Sequence, residues 1–268
     1  MSDSFETLLV SRDDEGVVTV TMNRPQKKNA LSRTMIRELT EVFDEIAISR
    51  DDRVLVLTGA GDAFTSGADL TPEGGEGAGQ GGGVGSSLHG MRLLGRMILR
   101  LHDIPKPTIA AVNGVAVGAG CNLGLGCDLV IASDSARFSE IFARRGLNLD
   151  GGGSWLLPRL IGLHKAKELA FLAEIISAEE AERYGIVNRV VAAADLDKVV
   201  TDLAHRIAAQ PPIQISITKK LLNQSFSVSM AEAIEFEDVG QSLAFSSRDT
   251  AEAMAAFVEK RDPKFIGE

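Results

Sequence analysis

Two patterns of hydrophobic and polar residues divide the chain. Up to about residue 195, short apolar runs alternate with polar turns and amphipathic segments, which is typical of an α/β fold with buried strands. The turn Asp13-Asp14-Glu15-Gly16 separates the first two runs and predicts a β-hairpin. The predicted strands are Thr7–Arg12, Val17–Met22, Val54–Thr58, Thr108–Val112, Leu129–Ala132 and Ile186–Val191.

Apolar residues spaced three and four apart predict amphipathic helices in the other segments. Ser32 is the expected N-cap of the first helix, and Ser177 with Glu180 forms a capping box for a short helix that ends at Gly185. Capping-box spacing recurs late in the chain, at Ser229 with Glu232 and at Asp249 with Glu252. The other predicted helices are Leu88–Leu101, Leu196–Ala209, Ile213–Asn223, Met230–Leu243 and Asp249–Lys260. We therefore divide the chain into an α/β core, residues 1–195, and a helical region, residues 196–268.

The segment Lys106–Val130 is the first candidate site. A predicted buried strand is followed by five glycines within thirteen residues, at Gly114, Gly118, Gly120, Gly124 and Gly126. A turn through Val117–Gly120 that leads into a helix would direct unpaired backbone N–H groups at one point, where an anion or a polarised carbonyl could bind. Tight helix packing explains the glycines equally well.

A single acidic residue stands out in Glu140–Gly162. Asp150 precedes Gly151, Gly152 and Gly153, and a predicted helix begins at Ser154 and is broken at Pro158. An acidic side chain at a helix N-terminus can simply be a cap. The three glycines, however, remove side-chain bulk around Asp150, as a substrate pocket requires.

Residues Glu73–Ser87 are of low complexity and contain a formal G-x-G-x-x-G at Gly77, Gly79 and Gly82. We reject a dinucleotide site there, because no apolar strand precedes the segment and glycine occurs throughout it. The composition predicts a mobile surface loop at Gly74–Gly85 that carries no chemistry.

Composition excludes several classes of function. The formal net charge of −9 argues against a nucleic-acid partner, which would require a basic face. Four histidines and two cysteines without a tight cluster predict no metal site, and Cys121 and Cys127 are expected to be buried free thiols. No secretion signal and no apolar run of membrane-spanning length is found, so a cytoplasmic protein is expected.

Taken together, these landmarks resemble the enoyl-CoA hydratase/isomerase (crotonase) superfamily over essentially the whole chain. The resemblance implies a spiral of ββα turns, a C-terminal all-helical trimerisation region, and a homotrimer or a hexamer made of two trimers. The matching residues are Asn23-Arg24-Pro25, Asn29-Ala30-Leu31, Phe64, Ser66–Leu70, Lys106-Pro107, Asn113-Gly114, Gly118–Cys121, Cys127-Asp128, Gly151–Gly153 and Phe257–Arg261.

The resemblance also implies the chemistry. Members of the superfamily bind acyl-CoA thioesters and stabilise an enolate between two backbone N–H groups, which by motif belong to Ala68 and Ala119 here. No separate cofactor is expected, because coenzyme A is part of the substrate. By the same motif matches, the coenzyme is expected to contact Lys28, Asn29, Ala30, Ser66, Ala68, Asp69 and Leu70, with Lys260 near its phosphates.

The chain departs from the hydratase pattern where hydratases carry two glutamates. Asn122 and Phe142 occupy those positions, while Asp150 stands where some isomerases of the superfamily carry a catalytic aspartate. One carboxylate can move a proton between two carbons, so an acyl-CoA isomerase is the leading hypothesis. Trp155, Phe142 and Leu147 are candidates for the acyl pocket, although core packing explains each equally well. A hydratase with a non-standard acid/base set in which Glu140 participates, a thioester hydrolase or ring-cleaving enzyme, and a non-catalytic acyl-CoA-binding subunit stay open.

Overall fold

The computed structural model describes residues 5–71 and 84–268. In these ranges the strands are β1 Leu8–Arg12, β2 Val17–Met22, β3 Val54–Gly59, β4 Ala63–Thr65, β5 Thr108–Val112, β6 Val115–Val117, β7 Leu129–Ser133, β8 Arg137–Ser139, β9 Ile176–Ser177 and β10 Arg189–Val191. The helices are α1 Arg33–Ile48, α2 Val84–Asp103, α3 Ala119–Leu125, α4 Gly153–Ile161, α5 Leu163–Leu172, α6 Ala178–Tyr184, α7 Leu196–Ala208, α8 Pro212–Gln224, α9 Met230–Phe245 and α10 Arg248–Glu259.

The chain passes repeatedly from one sheet to the other. A six-stranded sheet has the order β1-β2-β3-β5-β7-β10, and a four-stranded sheet has the order β4-β6-β8-β9. The pairs β3–β4, β5–β6 and β7–β8 each place one strand in each sheet, and a helix follows each pair. All neighbouring strands are parallel except β1 with β2 and β8 with β9. This arrangement is the expected spiral of ββα turns.

The central strands β3 and β5 of the large sheet are buried on both faces, which explains their apolar runs. Along β3, Leu55 and Leu57 point into the main core, whereas Val54 and Val56 pack in a second cluster with Val200 of α7. Helix α7 thus covers the outer face of the sheet, although its sequence belongs to the predicted helical region. The boundary at residue 195 stays a prediction.

Most predicted elements lie where the periodicity places them. Strands β2 and β5 have the predicted bounds, and Ser32 and Ser177 cap α1 and α6 through their side chains. The capping box of Ser229 with Glu232 is also present, at the start of α9. Helix α5 is not among the predicted elements, because Gly162 ends α4 and begins α5 without a side-chain cap.

Four expectations are wrong at element ends. Pro158 lies inside α4 rather than breaking it; the carbonyl deprived of its donor belongs to Ser154, an exposed residue that water can reach. Helix α10 is capped by Ser247 rather than Asp249. Helix α2 begins at Val84, inside the predicted loop, and β10 begins three residues later than predicted, at Arg189. The rest of that loop, residues 74–83, lies outside the described residues.

An ion pair joins the C-terminal helix α8 to the core. Lys219 of α8 contacts Asp128 Oδ2 at 2.8 Å and donates to the carbonyl of Lys106 at 3.0 Å. Helices α9 and α10 nevertheless leave large apolar side chains exposed, including Phe236, Leu243 and Phe257. Among the described residues, no helix combines the length and apolarity needed to cross a membrane.

Candidate functional site

A strained turn places the N-terminus of α3 at the centre of the site. Gly118 has a φ of 56°, and its N–H donates to Ser139 O at 2.8 Å, which joins the turn to β8. Ala119 is the first residue of α3, so its N–H has no acceptor within the helix. A side chain at Gly120 would lie 2.5 Å from Thr65 Cγ2, and glycine there lets the helix approach β4.

A second backbone donor lies on the facing loop. Leu31 N donates to Gly67 O at 2.8 Å and Asp69 N donates to Leu31 O at 3.1 Å, so the N–H of Ala68 between them points away from Leu31. Gly67 has a φ of 90°, and a Cβ built on it would lie 3.6 Å from Ala119 N. Neither the Ala68 nor the Ala119 N–H donates to a described residue. Their proximity is what the predicted oxyanion hole requires.

The turn that carries Asp150 packs directly on α3. A Cβ on Gly151 would lie 3.6 Å from Ala119 Cα, and one on Gly153 would lie 2.5 Å from Asn122 Nδ2. Gly151 and Gly152 have φ values of 56° and 86°, which other residues rarely adopt. The glycines therefore serve both conformation and close approach.

Asp150 is not a helix cap. Gly152 is the N-cap of α4 and makes no side-chain cap bond, while Asp150 Oδ1 is buried without a hydrogen-bond partner in the described structure. Burial raises the pKa of the half-buried Asp150 carboxyl to about 6. A carboxylate with raised proton affinity and an unpaired oxygen, on a turn that packs against Ala119, is suited to accept a proton.

Asn122 and Glu140 form a hydrogen-bonded pair next to the Asp150 turn, a contact that no local sequence pattern indicates. The fully buried Asn122 donates through Nδ2 to Glu140 Oε2 at 3.2 Å and to Asp150 O at 2.9 Å. Burial, together with the nearby Asp150 charge, raises the pKa of Glu140 to about 7, against the lowering effects of the neighbouring Cys121 thiol and of the Asn122 hydrogen bond. The available signal was an acidic residue among apolar neighbours, Phe138 to Phe142.

The three candidates for the acyl pocket have different surroundings. Phe142 is buried, and its Cζ would lie 3.6 Å from a Cβ on Gly118. Leu147 is exposed. Trp155 makes an edge contact with His102 and stacks under Arg159, whose Cζ lies 4.0 Å from the ring centroid. Of the three, Phe142 borders the space beside Gly118 that a side chain there would fill.

The loops predicted to bind coenzyme A are tied together by backbone and side-chain bonds. Ser66 N donates to Lys28 O at 2.9 Å, and Lys28 forms an exposed ion pair with Asp62. The buried Asn29 bridges three backbone groups: its Oδ1 accepts from Arg24 N, and its Nδ2 donates to the carbonyls of Ala60 and Ala63. Its side chain thus stabilises the loop itself.

The remaining residues of this set differ in exposure. Asp69 is buried and paired with Arg24 Nη2 at 2.8 Å, whereas Leu70 is exposed and Ala30 is buried. Lys260 follows α10 in a left-handed conformation with a φ of 55°. No described contact joins Lys260 to the Lys28 or Ser66 segment, so its role stays a prediction.

Among the described residues, neither a metal-binding cluster nor a reactive thiol lies near this site. Within residues 5–71 and 84–268, no group of three or more histidine, cysteine, aspartate or glutamate side chains could hold a metal ion. Cys121 and Cys127 are both buried and free, as predicted. Burial raises the pKa of both thiols, that of Cys127 to about 12, so neither is suited to act as a nucleophile.

Comparisons with known proteins agree with this architecture. The enoyl-CoA hydratase/isomerase family model matches residues 12–268. The 1,2-epoxyphenylacetyl-CoA isomerase of Escherichia coli (strain K12) is 38% identical over 261 residues, covering 97% of this chain and 98% of that protein. The short-chain-enoyl-CoA hydratase of Clostridium acetobutylicum is 36% identical over 247 residues, covering 91% and 92%. The crystal structure of an enoyl-CoA hydratase from Bacillus anthracis superposes with a TM-score of 0.92 at 32% identity, covering 98% of this chain and 100% of that one.

Proposed function

The chain belongs to the enoyl-CoA hydratase/isomerase family, and from that membership we propose that it is an acyl-CoA isomerase that shifts a double bond in an enoyl-CoA thioester. The observation that carries the proposal is the Asp150 carboxyl, which has a buried, unpaired Oδ1 and a turn packed against Ala119. Both features suit a base that works beside an oxyanion hole.

In the proposed reaction, Asp150 takes a proton from C2 of a 3-enoyl thioester. The electron pair moves into the thioester, and the charge that develops on its oxygen is stabilised by the N–H groups of Ala68 and Ala119. Donors aimed at developing charge contribute several kcal/mol in a site that excludes water. Asp150 then returns the proton to C4, the double bond moves to C2–C3, and the carboxylate is regenerated.

Coenzyme A binding follows from the same family membership. We assign its contacts to Lys28, Asn29, Ala30, Ser66, Ala68, Asp69 and Leu70, with Lys260 near its phosphates. The exposed Lys28 supports this assignment, since its ammonium lies at the protein surface. The backbone of Lys28 is also hydrogen-bonded to Ser66, another residue of the assigned set. Asp69, which is paired with Arg24, serves this segment by fixing its backbone.

One observation favours a second candidate, an enoyl-CoA hydratase with an unusual acid/base set. Glu140 and Asp150 both have raised pKa values and are joined through Asn122. In such an enzyme the two carboxyls would serve as acid and base for water. The position of Glu140 argues against it, because the carboxyl is buried behind Asn122, itself fully buried.

A panel of 2-enoyl- and 3-enoyl-CoA thioesters, followed by ultraviolet absorbance, separates the candidates. An isomerase converts 3-enoyl-CoA to the conjugated product faster than it hydrates crotonyl-CoA. In deuterium oxide, a single shuttling carboxylate should retain part of the substrate proton at C4, whereas addition of water draws its proton from solvent. Faster hydration than isomerisation contradicts the proposal, and a protein that binds acyl-CoA but turns over none of the panel is a non-catalytic subunit.

We also propose that the protein is a homotrimer or a hexamer made of two trimers. Exposed apolar side chains on α9 and α10 support this, since Met230, Phe257 and Val258 are 79–82% exposed in one chain. Sedimentation velocity at micromolar concentration should give a trimer or hexamer. A stable monomer contradicts the assignment.

A further inference from the structure

Glu140 is a buried carboxyl that the proposed reaction does not use. Its residue surface is 3% exposed, its Oε1 has no described hydrogen-bond partner, and its Oε2 accepts from Asn122. Asn122 is itself fully buried and is the direct link to the Asp150 turn. A half-paired buried carboxyl costs stability, so this one is not explained by packing alone.

The amide of Asn122 couples the two acidic residues. An amide nitrogen has two hydrogens, and here one is donated to Glu140 Oε2 and the other to the Asp150 carbonyl. Asn122 lies on α3, the helix whose first residue, Ala119, supplies one donor of the proposed oxyanion hole. A change in the charge of Glu140 therefore acts on both Asp150, the proposed base, and the oxyanion-hole donor Ala119, through the side chain of Asn122.

We propose that Glu140 is a positioning residue that acts on Asp150 through Asn122, supporting catalysis while it is protonated and weakening it once it ionises. The inference rests on the proposed function of Asp150 as the base. It goes beyond that function by assigning a regulatory role to a residue that does not touch the reacting atoms.

Among the residues that the structure describes, no positive charge faces Glu140 to balance its ionised form. The titratable groups that face it are Cys121 on α3, Asp150 before α4, and Glu174 after α5, which shares a cavity with room for about one water molecule. Burial and the Asp150 charge raise the Glu140 pKa to about 7, above that of Asp150 at about 6.

The order of ionisation determines the expected pH dependence. Between the two pKa values, Asp150 is an ionised base while Glu140 still carries its proton. Above the Glu140 pKa a second negative charge lies behind the site and opposes the negative charge of the enolate. Turnover should therefore rise through the titration of Asp150 and fall again through that of Glu140.

The kinetic test compares pH profiles of 3-enoyl-CoA isomerisation for the parent, Glu140→Gln and Glu174→Gln. The parent kcat should fall by about tenfold between pH 6.5 and pH 9, the scale of one like-charge interaction. Glu140→Gln, which keeps an acceptor for Asn122 but cannot ionise, should lose this fall. Glu174→Gln removes the exposed carboxylate across the cavity and should keep it. A level parent profile overturns the proposal, and so does a Glu140→Gln variant slowed equally at every pH.

A second measurement does not depend on activity. In protein labelled with ¹³C at the glutamate carboxyls, the resonance absent from Glu140→Gln identifies Glu140. It should titrate near neutral pH in the parent and at lower pH in Asp150→Asn, where the neighbouring charge is gone. An unchanged titration in Asp150→Asn overturns the coupling. If coupling is observed but no enoyl-CoA is isomerised, the proposed function fails and the link between the two residues stands.

Discussion

Two aspartates next to helix N-termini, Asp150 and Asp249, have opposite environments. Asp249 is 1% exposed, and its two oxygens accept from the backbone N–H groups of Ile266 at 2.7 Å and Gly267 at 2.9 Å. Asp150 is half-buried, yet its Oδ1 has no described partner. Neither side chain caps its helix, although both sequence positions suggested a cap.

The contrast shows how burial and pairing together separate structural from functional carboxylates. Asp249 uses its charge to hold the C-terminal tail against α10, and its hydrogen bonds offset the cost of burial. Asp150 gains no such compensation, so its charged form is disfavoured and its affinity for a proton increases. Asp128, which pairs with Lys219, is a structural carboxylate like Asp249. Replacing each carboxylate by its amide tests this division.

Asp150→Asn should produce the largest effect, and the effect should be on catalysis. Isomerisation should fall by about 10²–10⁴-fold, the scale for loss of a positioned general base. Thioester binding should persist because the oxyanion donors are backbone groups. The free energy of unfolding at pH 8 should stay equal or rise, since an unpaired buried charge is removed. Turnover assays with urea unfolding measure both; undiminished turnover would eliminate Asp150 as the base.

Glu140→Gln should change stability in a pH-dependent way. The Glu140 pKa is about 7 in the folded protein against an ordinary 4.5. The folded state thus binds this proton more tightly, and the stability it contributes is present below pH 4.5 and lost as pH rises through 7. At pH 8 the variant should be more stable than the parent by up to about 3 kcal/mol. The difference should vanish near pH 4, as urea unfolding at both values can check.

Asp128→Asn should destabilise the docking of α8 while leaving the chemistry intact. Lys219, with only 9% of its side chain exposed, loses the carboxylate that balances its charge. Because the side chain of Asp128 is 24% exposed, we expect a loss of about 2 kcal/mol in the free energy of unfolding, below the range for a fully buried pair. Specific activity of the folded protein should match the parent. A large loss of activity without unfolding would place Asp128 in the site.

Asp249→Asn should give the smallest change, between about 1 and 2 kcal/mol in the free energy of unfolding. The amide keeps one acceptor but turns an NH₂ group toward one of the two backbone N–H groups. Limited proteolysis of the C-terminal tail and urea unfolding should both report the loss. Its kcat serves as the control for Asp150→Asn, because the same change at a fully paired carboxylate should leave turnover unaltered.

The local pattern of the sequence predicted much of the fold. A strand buried on both faces is nearly all apolar, as β5 is, and a strand with one buried face alternates, as β2 does, so both could be delimited from the local pattern alone. Side-chain caps are equally local, because Ser32 and Ser177 bond within three residues of themselves. Glycine spacing located the Gly118 turn and the Asp150 turn, since both need conformations or approaches that a Cβ forbids.

Tertiary structure decided which polar residues meet. Asn122 bonds to groups 18 and 28 residues away, a relation set by how β8 and the Asp150 turn pack on α3 and by no local period. The same holds for Asp249, whose hydrogen-bond donors lie in the C-terminal tail, 17 and 18 residues further along the chain. Sequence alone could name Asp150 and Glu140 as acidic residues in apolar surroundings. Only packing determines whether each carboxyl finds a donor, and an unpaired buried carboxyl is what raises its proton affinity.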